Sequence, residues 1–157
     1  MKENCSVRAF LNENNLVLPT PKVGLANYVP YRKSGNQLYI SGQGPVLETQ
    51  EIIGKLGDNL SVDEGYNAAQ LCALNILAQL ATACDHDFGR VQACVKLGGF
   101  VNAAPNFTEH PQVINGASDL IVNALGNIGQ HARFAVGVPS LPRGWAVEID
   151  AIFELAQ

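Results

Sequence analysis

The stretch from His131 to Leu155 limits the folds open to this chain more than any other, because two segments within it alternate with period two. In the first, Ala132, Phe134, Val136 and Val138 fall on one face of an extended chain, and His131, Arg133, Ala135 and Gly137 on the other. Past the turn from Pro139 to Gly144, Val147, Ile149, Ala151, Phe153 and Leu155 share one face of the second segment, and Glu148, Asp150, Ile152 and Glu154 the opposite one. Two strands follow from this, each with an apolar and a mixed face. If they pair as antiparallel neighbours, Arg133 and Glu148 share the mixed face, although the pattern leaves the register open. A solvated sheet face with a surface ion pair is the simplest role for the two charges.

The rest of the chain supplies partners for those strands. Ser61-Val62-Asp63-Glu64 is a capping box, in which the Ser61 hydroxyl and the Glu64 carboxylate each accept from the other's backbone N–H. The helix it opens is expected to reach about Ala83, with Leu74, Ile76, Leu77 and Leu80 on an apolar face and Asn75, Gln79 and Thr82 on a wet stripe. Pro111 suits the first turn of a second helix, whose Val113, Ile114, Ala117, Leu120, Ile121, Ala124 and Leu125 recur at helical spacing up to Gly126. Between the helices, alternation from Val91 to Val101 predicts a strand, with Gly98-Gly99 as a candidate bulge. A hairpin is expected from Ala26–Lys33 through Ser34-Gly35-Asn36 to Leu38–Gly42, and a short helix over residues 6–14 before Pro19 and Pro21. Residues 46–59 carry no clear pattern. The order hairpin, helix, strand, helix, two strands predicts an α+β domain: one mixed sheet, both helices packed on one face, the other face uncovered.

A length of 157 residues suffices for a single domain, residues 1–157, that buries roughly 70% of its unfolded surface; residues 1–23 form an N-terminal extension. Hydrophobic residues make up 47% of the chain and charged ones 15%, an apolar excess expected to end in a subunit interface. Ten basic residues scattered against 14 acidic ones leave no basic stripe for a phosphate backbone, which argues against nucleic acid as a dedicated partner. Cys5, Cys72, Cys84 and Cys94 form no C-x-x-C pair and no metal-spaced cluster. Together with the lack of an apolar signal core, they are expected to be reduced thiols of a cytoplasmic protein that needs no metal. No apolar run approaches the ~18 residues of a membrane span.

Three motifs add specificity. Ser41-Gly42-Gln43-Gly44-Pro45 after the second strand, Arg133, and Leu141-Pro142-Arg143-Gly144-Trp145-Ala146-Val147-Glu148-Ile149-Asp150-Ala151 occur together and in order. In this the chain, from about Gly24 to Leu155, resembles the RidA/YjgF family of reactive intermediate (imine) deaminases. The resemblance implies a chorismate-mutase-like subunit that forms a homotrimer around the uncovered sheet faces, with sites in the clefts between subunits and no cofactor. It implies that Arg133 grips a substrate carboxylate and that Glu148 lies near the attacking water. Tyr28, Ser41, Gly42 and Ala135 match pocket positions, and Asn102 and Asn106 lie near another pocket segment. Many active members carry a small polar residue and a cysteine after the arginine, where this chain has Phe134 and Ala135. The N-terminus and the region around His110 to Gln112 are also longer than in archetypal members.

The activity implied is hydrolysis of small 2-imino or enamine acids to 2-oxo acids and ammonia. A guanidinium meets a carboxylate through two parallel hydrogen bonds, a geometry lysine lacks. The alternative is a trimer that binds a small carboxylate without turnover; a ribonuclease or translation inhibitor is disfavoured by the acidic charge. Among other residues, His131 shares a strand face with Arg133 but is expected to be exposed at a strand start, and Trp145 is expected to pack on the Pro139–Pro142 turn.

Overall fold

The computed structural model describes residues 2–24 and 26–157. Helix α2 (Val62–Ala83) starts at the expected capping box: the Ser61 N–H donates to Glu64 Oε2 at 2.8 Å and the Glu64 N–H to Ser61 Oγ at 3.2 Å. Helix α3 (His110–Leu125) has Pro111 in its first turn, where a missing N–H costs nothing. The two helices approach closely because Gly116 of α3 sits directly on the Tyr66 carbonyl of α2, where any β-carbon would collide with backbone. A third helix, α1 (Lys2–Glu13), longer at its start than residues 6–14, packs on α3 and buries Val7 and Leu11.

The strands β1 (Tyr31–Ser34), β2 (Gln37–Gln43), β5 (Val91–Asn102), β6 (Ala132–Val138) and β7 (Val147–Leu155) form one mixed sheet in the order β1-β2-β7-β5-β6. A small hairpin, β3 (Val46–Leu47) with β4 (Gln50–Glu51), occupies the unpatterned segment. Leu38, Ile40, Leu97, Val101, Val147, Ile149, Ala151 and Phe153 join the apolar faces of α2 and α3 in one core. The opposite sheet face carries no helix, so Tyr39 and Val136 stand 42% exposed beside half-buried Phe100, Phe134 and Ile152. No helix among the described residues is long and apolar enough to cross a membrane.

Three expectations are corrected. The two C-terminal strands are not neighbours: β5 lies between them, antiparallel to β7 and parallel to β6. The reason is the connection, since α3 links β5 to β6 as a crossover and crossover-linked strands run parallel. Asn75 and Gln79 are buried, at 5% and 2% exposure, because residues 16–24 and the β3 turn lie over that side of α2. Their amides are satisfied there: Asn75 Nδ2 donates to the Val46 carbonyl at 2.7 Å and Gln79 Nε2 to the Lys22 carbonyl at 2.9 Å. Finally, Gly98 and Gly99 are in regular register, and the bulges of β5 fall earlier, between Val91 and Ala93 and between Cys94 and Lys96. The glycine pair instead makes room for the Phe134 ring on one face and Ile114 of α3 on the other.

Gly116→Ala is expected to destabilise the protein by about 1–3 kcal/mol through overpacking. A lowered urea midpoint at unchanged slope would show it, and an unchanged midpoint would mean that the α2–α3 crossing yields freely.

Candidate functional site

The SGQGP motif lies where β2 leaves the sheet. Its pairing with β7 slips between Ile40 and Gln43, and the irregularity turns Gly42 toward Glu148, so closely that a β-carbon would overlap the carboxylate. Glycine is therefore required there by the approach of a side chain. The Ser41 hydroxyl donates to the Val29 carbonyl at 2.8 Å, and Gln43 Nε2 returns to the Ser41 carbonyl at 2.9 Å, which stiffens the loop. Tyr28, Ser41, Gly42 and Trp145 help line a cavity of about 570 Å³, with residues 19–24 of the N-terminal extension on one wall and Val46, Glu48 and Asn75 also bordering it. Trp145 packs its ring on Gly44.

Glu148 is half-buried on the uncovered sheet face, opposite Phe100 of β5. Burial pushes its carboxyl above the usual range, and the negative charge of Asp150 adds to the rise. Such a group keeps its proton to higher pH than an ordinary carboxyl, the direction that favours general acid–base work. Cys72, whose thiol contacts the Val147 carbonyl, is fully enclosed and raised well above the ordinary thiol range by burial, so it does not replace the thiol absent at position 135.

Arg133 lies elsewhere. Its register partner Leu97 points into the core, so Arg133 leaves β6 on the helix-covered side, opposite to the face of Glu148. The shared mixed face expected for the two residues does not form, because β5 separates their strands and the two side chains take opposite faces. Strands β2 and β6 are three strand spacings apart, about 14 Å. Half-buried Arg133 donates from Nη1 to the Ser118 hydroxyl at 3.0 Å and from Nη2 to the Pro111 carbonyl at 3.4 Å. The ion pairs among the described residues are Arg90–Asp85 at 2.9 Å and Arg143–Glu51 at 2.8 Å, so no carboxylate neutralises Arg133. Ala135 follows on the same side as Arg133, paired with Gly99, while Phe134 meets Phe100 edge-on across the other face at 5.2 Å.

Other candidates divide clearly. Asn102 is buried and structural: its side-chain oxygen accepts from Lys55 Nζ at 2.7 Å, and its amide donates to the Trp145 carbonyl at 3.2 Å. Asn106 is exposed in a turn. Neither lines the cavity. His131 is half-buried, held between the Ser118 hydroxyl at 2.9 Å and the Gly129 carbonyl at 2.6 Å. The period-two pattern placed His131 beside Arg133, but the serine that joins them comes from α3 and was not singled out.

The YjgF/chorismate mutase-like family, whose description includes an endoribonuclease label, has a model that matches residues 8–153. The chain belongs to this family. It is 47% identical to Protein TCP17 of Trypanosoma cruzi over 151 residues, covering 95% of this chain and 94% of that one. Among solved structures, the YjgF-like chain is similar to Atu1372 of Agrobacterium tumefaciens, described as of unknown function, with a TM-score of 0.91, 44% identity and coverage of 98% and 96%. It is also similar to RidA from the Antarctic bacterium Psychrobacter sp., with a TM-score of 0.58, 27% identity and coverage of 88% and 96%. The difference between those two TM-scores matches a family chain of a divergent, longer kind.

The raised pKa of Glu148 has a stability consequence in this YjgF-family chain. Ionising the carboxyl costs more in the folded than in the unfolded state, so stability falls as pH rises from 4.5, the ordinary value, through the raised one. Glu148→Gln is therefore expected to melt higher than the parent at pH 7, with the gap closing below pH 4.5; an equal gap at both pH values would contradict the assignment.

Proposed function

We propose that this YjgF-family chain is a homotrimer that hydrolyses small 2-imino or enamine acids to 2-oxo acids and ammonia in clefts between subunits. Arg133 and Ala135 of one copy face Tyr28, Ser41, Gly42 and Glu148 of the next. The observation that carries this reading is the separation of two incomplete half-sites. A half-buried guanidinium satisfied only by neutral oxygens stands toward one edge of the sheet, and a carboxyl with a raised pKa stands beside a glycine cradle toward the other. The uncovered sheet face, where Tyr39 and Val136 stand exposed among charged residues, supplies surface for assembly.

The chemistry asks little of the protein. An imine carbon is already electrophilic; water adds to it, the nitrogen takes a proton, and the resulting carbinolamine expels ammonia to leave the carbonyl. Arg133 holds the carboxylate in place, Gly42 leaves room for the Glu148 carboxyl, and Glu148 carries the proton from the attacking water to the leaving nitrogen. The second reading, a trimer that binds a small carboxylate without turnover, is favoured by Ala135, which offers no thiol where many active relatives have one.

Against imines generated in situ from amino acids, wild type is expected to release ammonia above the spontaneous rate. Arg133→Ala should lose about ten- to a hundred-fold in kcat/KM, the worth of a charge-assisted contact. Background release from both, with carboxylate binding retained, would leave the binding reading in place of the enzyme. Native mass spectrometry should give three copies, and a stable monomer would remove the shared cleft.

A further inference from the structure

The arginine's immediate surroundings form a directed chain of hydrogen bonds. His131 Nδ1 faces the Gly129 carbonyl at 2.6 Å, and a carbonyl only accepts, so Nδ1 carries the proton. In the neutral ring Nε2 is then a lone pair, and it accepts the Ser118 hydroxyl at 2.9 Å. With its hydrogen committed to the histidine, the Ser118 oxygen turns a lone pair to Arg133 Nη1 at 3.0 Å. Each bond in such a series polarises the next. The Pro111 carbonyl takes one N–H of Nη2. Two of the five guanidinium N–H groups are thus used and three, Nε–H among them, have no partner among the described residues.

With the His131 ring in that form, no carboxylate takes part in the chain and the arginine carries its one charge. A carboxylate in the place of Ser118 would orient the guanidinium equally well but cancel its charge; a serine backed by a histidine orients it and leaves the charge whole. The contacts also join separate elements, since Ser118 lies on α3, His131 precedes β6 and Arg133 is on β6. We propose that Ser118 and His131 are positioning residues that aim the Arg133 guanidinium at an incoming carboxylate, an inference that rests on the role given to Arg133 above.

The test measures binding of pyruvate, a short carboxylate, and of its methyl ester, which keeps the shape and loses the charge, by titration calorimetry on the full chain. Ser118→Ala and His131→Leu are each expected to weaken pyruvate binding about tenfold and to leave the ester unchanged. Ser118→Thr, which retains the hydroxyl, should restore binding to within about twofold of wild type. A purely structural staple would instead weaken both probes together or lower only the melting temperature, and that result would overturn the inference. Because His131→Leu and Ser118→Thr probe the chain from different sides, one unfolded variant does not decide the matter. If Arg133→Ala binds pyruvate as wild type does, the role of Arg133 falls and the positioning role with it. If Arg133→Ala loses binding but folded Ser118→Ala and His131→Leu do not, only the positioning role falls.

Discussion

Placing β7 between β2 and β5 is the constraint on which the rest of the structure depends. Its face of Val147, Ile149, Ala151, Phe153 and Leu155 is buried without exception against the helix layer. A strand so uniformly apolar on one side gains most at the centre of the sheet, where helices cover it along its length. The same placement brings Glu148 against Gly42 on one side and Phe100 on the other, and sends β6 to the edge. The position of both candidate charges therefore follows from how one strand buries its aliphatic face.

The helix layer imposes a second condition. Helices α2 and α3 meet through Gly116 on the Tyr66 carbonyl, and α3 is then held near enough to β6 for Ser118 and the Pro111 carbonyl to reach Arg133. The N-terminal extension works on the other side of the fold: it covers Gln79 and adds a wall to the open cavity near Ser41 and Trp145. The surroundings of Arg133 are thus shaped by α3, and those of Ser41 and Trp145 by the N-terminal extension. Among the described residues neither Arg133 nor Glu148 has an ion-pair partner.

Much of this was legible beforehand. The capping box, both amphipathic helices, the hairpin and all the long strands carry local signatures, and the motifs around Ser41, Arg133 and Glu148 pointed to the family. What was misread shares a cause. Asn75 and Gln79 are polar residues on a helix, and nothing within the helix tells that a distant segment lies over them and satisfies their amides. Ser118 was not singled out at all, because its partners, His131 and Arg133, are 13 and 15 positions away outside its helix. Gly98-Gly99 read as a bulge because pattern does not distinguish a glycine that bends the backbone from one that admits a neighbour's ring.

By itself the sequence determined which residues are extended or helical and which face of each is apolar, because periodicity and capping act over a few neighbouring positions. It also determined that Arg133 and Glu148 are each carried on a strand. Only the tertiary structure decided that these strands are not neighbours and that the two side chains take opposite faces. Strand order is set by the crossover through α3 and by competition for the buried centre of the sheet, and both depend on contacts between residues far apart in the chain.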